Sequence, residues 1–222
     1  MSIEQLGSKA DHLSEELIQR VKRLSSSLIS DGMGCTVSMD YTIKPVAPAN
    51  KIVVGTALTV SVGPGDNVCL HKAVPLGEKG YILVVDGKGD TKNALLGELI
   101  ATAAKKAGYE GIIVDGLARD QGALRRLDFP VYCKGFIPNG PLKGESGQIN
   151  TAILCGGVSV RPGDLIVGDD DGVVVIPREN AEEIIRKAEM KAEYEEKRRQ
   201  EIQNGQMLPA WLREGSKRES TT

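Results

Sequence analysis

The chain has 222 residues, of which 41% are hydrophobic and 26% charged, and its net charge is −2. These are ordinary values for one large globular domain with terminal extensions, and they leave no bulk positive field to argue for nucleic acid. Aromatics make up only 4%, with no basic–aromatic interleaving for base stacking, and no run of about 18 apolar residues offers a membrane span.

The N-terminal part reads as a helix, because Leu13, Leu17, Ile18, Val21, Leu24 and Leu28 recur at three- and four-residue steps. Gly32 and Gly34 should stop it. Strands follow, beginning with Lys51 to Val62, which is β-branched and mostly alternating and ends at the turn GPGDN. A helical piece from Leu70 to Leu76 leads to the buried strand YILVVD, Tyr81 to Asp86, and then to the glycine loop GKGDTKN. Helix Leu99 to Ala107, strand Gly111 to Asp115 and strand Phe129 to Gly135 come next. Residues Ile149 to Ile176 alternate strand and turn, with Asp171-Gly172 as the turn pair of a hairpin between LIVG and VVVIP. The mixture of βαβ-like units and hairpins predicts an α/β fold with more than one sheet layer.

Asn180 and Glu183 form a capping-box pattern that opens a long charged helix, with Gly205 as its stop. About 24 residues would span roughly 36 Å. Its apolar stripe is thin: Ile184, Ile185, Ala188, Ala192 and Ile202. Two outcomes are open: the helix packs on a neighbouring subunit, or it frays after Ala192. The expected organisation is a helical segment over 1–34, an α/β core with the active site over 35–178, the C-terminal helix over 179–213 and a disordered tail over 214–222. Cys35, Cys69, Cys133 and Cys155 are scattered with no C-x-x-C pair, and no signal peptide is evident, which predicts a reducing, cytoplasmic setting.

Chemistry concentrates between Gly97 and Asp120, GELIATAAKKAGYEGIIVDGLARD. The helix beginning near Gly97 presents free backbone N–H groups, and its dipole favours an anion there. The plainer reading of the preceding glycine loop is a simple turn. Arg119 and Asp120 lie beyond the carboxyl end of strand IIVD, the usual ligand position in α/β sheets. Arg binds a carboxylate or enolate oxygen, and Asp is a hard ligand for Mg²⁺. An isolated Arg-Asp dipeptide would more simply be a surface pair.

Other residues carry less. His71, near Asp66 and Asn67, could act as a base, but a lone His on a helix is more often packed. The run Asp169-Asp170-Asp171-Gly172 lacks the ligand spacing and closing Glu of a calcium loop. Cys155 has no His partner and reads as structural. No lysine among Lys72, Lys88, Lys92 and Lys134 has the context of a Schiff base.

The spacing Glu98-x20-Arg119-Asp120, with GELIATAAKKAG and IIVDGLARD around it, resembles the signature of the RraA-like family, named for the regulator of ribonuclease E activity A. That family includes the 4-hydroxy-4-methyl-2-oxoglutarate (4-carboxy-4-hydroxy-2-oxoadipate) aldolases. GDNVCLHKAV, VVDGKGDT, GFIPNGP, CGGVSVRPGD and GDDDGVVVIP also resemble family segments in family order, so the likeness covers about Leu24 to Gly205. It implies a swivelling β/β/α fold, a homotrimer or hexamer, and an active site at the subunit interface. It further implies a divalent cation, Mg²⁺ or Mn²⁺, bound directly by Asp120 and through water by Glu98 and by Glu195 of an adjacent subunit. Glu193 and Glu196 are alternatives to Glu195. Arg119 would grip the 2-oxo oxygen and carboxylate of a pyruvyl substrate, and the amides of Gly97, Glu98, Leu99 and Ile100 would hold that carboxylate.

The function so implied is a carbon–carbon lyase on small 2-oxo acids, releasing pyruvate by retro-aldol cleavage of a 4-hydroxy-2-oxo acid or by decarboxylation of oxaloacetate. The alternative is a non-catalytic regulator that binds a ribonuclease; such relatives carry Asn at the Glu98 position. Two departures stand out. The family often has Asp where this chain has Glu98, and its aldolases commonly have an acidic residue where this chain has Ala123.

Overall fold

A computed structural model describes residues 5–34, 38–48, 52–144 and 147–212, so Cys35 and the tail predicted over 214–222 lie outside the described residues. From the N-terminal side, β1 (Gln5–Leu6) leads to α1 (Glu15–Val21) and α2 (Ser26–Met33). The single helix expected from the leucine spacing is therefore two. Ser25 starts the second, its hydroxyl accepting a hydrogen bond from Leu28 N at 3.3 Å, because a serine at this point competes for the backbone and restarts the helix. Gly32 lies inside α2, and Gly34 ends it at φ +66°.

β2 (Lys44–Pro45), β3 (Val53–Val62) and α3 (Val68–Ala73) follow, the last extended by a 3₁₀ turn at Val74–Leu76. The middle of the chain carries β4 (Tyr81–Asp86), β5 (Ala94–Leu96), α4 (Glu98–Ala107), β6 (Gly111–Asp115) and β7 (Leu117–Ala118). Then come α5 (Gln121–Arg126), β8 (Val131–Cys133) and β9 (Gly135–Phe136), so the strand expected over Phe129 to Gly135 is split in two. The last strands are β10 (Gly147–Ile149), β11 (Ile153–Cys155), β12 (Val158–Val160), β13 (Leu165–Asp169) and β14 (Gly172–Ile176). A 3₁₀ turn at Arg178–Asn180 opens into α6 (Ala181–Gln203).

β3, β4, β6 and β8 run parallel in that order. The other edge of β3 is shared, its first half pairing with β13 and its second half with β10, both antiparallel. β14 pairs with β13, β1 with β10, and β2 with β8. The sheet curls until its ends almost meet: Ser38 bridges Val174, and Lys44 Nζ donates to the Asp171 carbonyl. The result is a mixed α/β fold with a nearly closed sheet and a long C-terminal helix.

Both faces of the central strands are covered. Leu83 and Val85 point outward with Leu58 and Val60 against Leu70 of α3 and Ala101 and Ala104 of α4. Ile82 and Val84 point inward with Ile113, Tyr132, Ile166 and Val175. That is why β3 is buried almost throughout rather than on alternate residues, as its pattern suggested: a central strand with helices outside and side chains inside has no solvent face. A third cluster joins Leu17, Val21 and Ile29 to Val54, Leu165, Val174 and the start of α6.

At the start of α6 the capping box does not form. Asn180 makes no side-chain cap bond, and Glu183 pairs instead with Lys187 at 2.7 Å. Asn180 closes a 3₁₀ turn at φ −107° and ψ 1°, away from the extended backbone a capping side chain needs. Ile184, Ile185 and Ala188 then pack inward, and α2 approaches so closely that a Cβ on Gly32 would stand 3.0 Å from Ala188 N. Replacing Ile185 by Ala should destabilise the fold by about 2–5 kcal/mol in urea denaturation, because it empties a fully buried anchor. The helix stays continuous to Gln203, and Gly205 follows at φ +82°, as its sequence suggested. Beyond Ala192 its larger apolar side chains, Tyr194 and Ile202, are exposed.

The hairpin of β13 and β14 is present, but Asp169 pairs with Gly172, so its turn is Asp170-Asp171, one residue earlier than expected. The Asp169 carboxylate is held by α2, accepting from Ser26 N and Ser26 Oγ at 2.7 Å each. Among the described residues no helix is long and apolar enough to cross a membrane.

Candidate active site

β5, β7 and β9 form a second, three-stranded parallel sheet in the same order as β4, β6 and β8. The chain steps from β6 to β7 across one residue, Gly116, and from β8 to β9 across one residue, Lys134. Beyond the carboxyl ends of the three short strands lie Gly97, the Arg119-Asp120 pair, and Ile137-Pro138. This is where open parallel sheets bind ligands. A cavity of about 320 Å³ lies there, lined by Arg119, Asp120, Phe136, Ile137 and Pro138.

Gly97 immediately precedes α4, an alanine-rich helix that buries Ile100, Ala101 and Ala104 and carries Glu98 in its first turn. The Gly97 backbone is extended at φ −147°, which any residue adopts; what requires glycine is the neighbouring loop. A Cβ there would stand 2.3 Å from Asp120 Oδ2 and 2.9 Å from Arg119 Cγ. Glu98 N donates to Asp120 Oδ2 at 3.1 Å, and Arg119 N donates to the Leu96 carbonyl at 2.9 Å. These two bonds fasten the Arg119-Asp120 turn to the start of α4.

Asp120 sits in the left-handed region at φ +62° and ψ +38°, where Asp is better tolerated than most residues. Its carbonyl starts α5 by accepting from Ala123 N and Leu124 N, which frees its carboxylate to point at α4 instead of capping. Arg119 Nε lies 3.8 Å from Asp120 Oδ2, and the Asp120 side chain remains 44% exposed. A guanidinium and a carboxylate therefore line one cavity, and the N-terminus of α4 is bonded to that carboxylate.

Of the four amides expected to hold a substrate carboxylate, that of Glu98 is already engaged by Asp120. Those of Leu99 and Ile100 lie in the first helical turn, where backbone donors lack intrahelical partners. Leu99 is 80% exposed beside them. The Glu98 side chain is exposed and makes no ion pair with the described residues. Glu195 is not part of this cluster: it lies on the distal half of α6 and pairs with Arg199 at 3.6 Å. Among the described residues no three His, Cys, Asp or Glu side chains converge as a metal cage.

The apolar wall of Phe136, Ile137 and Pro138 carried no chemical signal in the sequence beyond its place in the segment GFIPNGP. Lys134 has more context than its sequence suggested, because its Nζ lies 2.6 Å from Asp115 Oδ1. Burial opposes its charge, but the Asp115 carboxylate overcomes this and keeps the ammonium above its ordinary pKa, so Lys134 is no free amine nucleophile. Cys155 is fully buried, its thiol pushed up by burial and by Asp115 and Asp86, consistent with a structural role. His71 lies off the cavity, its pKa lowered by burial and by Lys143, whose Nζ is 3.3 Å away.

A family model described as RraA-like, Aldolase/RraA, matches residues 26–175. The chain is 40% identical over 192 residues to a protein of Halalkalibacterium halodurans named "Putative 4-hydroxy-4-methyl-2-oxoglutarate aldolase", covering 86% of this chain and 91% of that one. The crystal structure of Streptomyces coelicolor RraAS2, described as an unusual member of the RNase ES inhibitor RraA protein family, matches with a TM-score of 0.75 at 30% identity, covering 84% of this chain and 98% of that one. An uncharacterized protein from Pseudomonas syringae shares the fold, with a TM-score of 0.75 at 22% identity over 88% of this chain and 96% of that one. A curled mixed sheet with an Arg–Asp pair at a cavity beyond the ends of a small parallel sheet thus defines an α/β protein of the aldolase/RraA type. The chain belongs to the RraA-like family.

Proposed function

We infer that this protein is a divalent-metal-dependent carbon–carbon lyase acting on small 2-oxo acids and releasing pyruvate. The observation that carries this reading is that Arg119 and Asp120 line one cavity while the N-terminus of α4 is bonded to the Asp120 carboxylate. In the retro-aldol step the C3–C4 bond of a 4-hydroxy-2-oxo acid breaks and its electron pair moves onto the C2 oxygen as an enolate. The C4 hydroxyl loses its proton to become a carbonyl, and C3 gains one to give pyruvate. Decarboxylation of oxaloacetate passes through the same enolate.

Asp120 fits a hard cation: it is a half-exposed carboxylate whose hydrogen bond from Glu98 N and ion pair with Arg119 both involve Oδ2. A divalent ion such as Mg²⁺ or Mn²⁺ would supply positive charge beside the enolate oxygen. With no three-ligand cage among the described residues, the remaining shell would come from water, with Glu98 and a neighbouring subunit's Glu195 behind it. Arg119 would bind the 2-oxo oxygen and the carboxylate, and the amides of Leu99 and Ile100 the far carboxylate oxygen. Phe136, Ile137 and Pro138 would exclude water on the opposite side.

The exposed half of α6, with Tyr194 and Ile202, and the exposed Trp211 beyond its end, support packing on a neighbouring copy in a homotrimer or hexamer that brings Glu195 to this site. The purified chain with Mn²⁺ should release pyruvate from oxaloacetate and from 4-hydroxy-2-oxo acids well above a protein-free blank at equal metal. No release above that blank from any of them would sink the proposal.

The second reading, a regulator that binds a ribonuclease, rests on the similarity to the RraA-type inhibitor family. Glu98 supports the enzyme, since Asn at this position would remove a charge beside Asp120. Tight capture of a ribonuclease by a protein with no measurable Mn²⁺ affinity would reverse the order.

A further inference from the structure

The two sheets meet at a seam that carries an ion pair the proposed chemistry does not use. Asp115 ends β6 and Lys134 separates β8 from β9, so each lies where its segment crosses from the large sheet to the small one. Lys134 N donates to the Gly116 carbonyl at 2.9 Å, joining the two crossings through the backbone. The side chains join them again, Lys134 Nζ standing 2.6 Å from Asp115 Oδ1 with 22% and 10% of the two side chains exposed. The approach is off the ideal hydrogen-bond direction and is an ion pair above all.

The other Asp115 oxygen accepts from Gly156 N at 2.8 Å, and its carbonyl accepts from Gly89 N at 3.2 Å. The charged and titratable groups around the pair are Asp86, the register partner of Asp115 on β4, with its own Lys88; the Cys155 thiol; and Asp40. Each buried carboxylate thus has its own lysine.

Stability alone is a poor reason for such a pair, because desolvating two charges commonly cancels their attraction and apolar replacements are often as stable. What the pair does is directional. Arg119 and Asp120 follow Asp115 by four and five residues along one crossing, and Phe136 to Pro138 follow Lys134 along the other. The pair thus stands at the root of the two loops that line the cavity, behind the β7–β9 pairing and the bond from Ile137 N to the Ala118 carbonyl at 3.0 Å.

Resting on the lyase reading of that cavity, we propose that Asp115 and Lys134 are positioning residues. They pin the seam so that the Arg119-Asp120 turn and the Phe136–Pro138 wall hold one spacing. Neither lines the cavity, so neither is a catalytic residue.

The test compares Lys134→Met, Asp115→Asn, their double variant and Lys134→Arg. Asn keeps an oxygen for Gly156 N, and Met keeps the length of the lysine stem. Each single change to a neutral residue strands a charge and should lower the melting temperature; the double variant should melt close to the unaltered protein. In that double variant, amide hydrogen exchange over 116–120 and 135–139 should be about tenfold faster, and kcat for pyruvate release about tenfold lower with KM changed less than about threefold. Lys134→Arg should keep both near the starting values. Unaltered exchange in the double variant, or a kcat that returns together with the melting temperature, would overturn the proposal. The exchange comparison needs no substrate, so it decides this claim even if the protein releases no pyruvate and the lyase reading fails.

Discussion

Replacing Asp120 by Ala should reduce pyruvate release to the level of the metal-containing blank. Removing a single well-placed electrostatic partner of a developing oxyanion costs about 10²–10³ in rate, and Asp120 would hold the charge that stabilises the enolate. Ala introduces a second effect that must be separated. Asp120 stands at φ +62°, a conformation unfavourable for Ala, and the Glu98 amide would lose its acceptor. Asn is the informative comparison, because it tolerates that backbone and retains an oxygen for Glu98 N while losing the charge. Asp120→Asn is therefore expected to melt like the unaltered protein yet bind Mn²⁺ at least about tenfold more weakly and lose at least about 10²-fold in kcat/KM. Calorimetric Mn²⁺ titration, thermal melting and the pyruvate assay on both variants check this. Full activity in Asp120→Asn would remove Asp120 from the chemistry.

Gly97→Ala should be nearly as damaging, for a reason that lies in space rather than in backbone freedom. Its φ of −147° suits Ala, so no conformational penalty arises. The added methyl would stand 2.3 Å from Asp120 Oδ2 and 2.9 Å from Arg119 Cγ, closer than atoms approach without displacement. Two backbone bonds pin the start of α5 to the Asp120 carbonyl, so relief must come by moving the carboxylate and breaking its bond from Glu98 N. A displacement of about 1 Å at a reacting centre can cost 10²-fold, and a loss of that order in kcat/KM is expected with little change in melting temperature. Unchanged Mn²⁺ affinity together with unchanged kcat would show that the loop absorbs the methyl elsewhere.

The sequence exposed the elements whose signals are local. YILVVD and IIVD are short apolar runs between turn residues, and both are central strands. The alanine-rich helix after Gly97 carries its own stop at Gly108. Glu98, Arg119 and Asp120 were readable through the family resemblance, and the fold brings the Glu98 amide, Arg119 and Asp120 together. Other features had no local signal. The strands of the small sheet are two or three residues long, too short to show alternation, yet they present the cavity. Asp115 and Lys134 are nineteen positions apart and looked unremarkable until the seam joined them. Ser25 split a helix whose leucine spacing ran straight through it, and the 3₁₀ turn before α6 cancelled a capping box that was correct in letters alone.

The small parallel sheet divides labour among its strands. Its middle strand delivers the charged pair, Arg119 and Asp120, while an outer strand delivers Phe136, Ile137 and Pro138, which have shape but no charge. Substitutions at 136–138 can therefore reshape the space offered to a substrate without disturbing the groups that would handle the electrons. On the lyase reading, a scaffold wired this way would exchange one 2-oxo acid for another along a single edge while keeping its reaction.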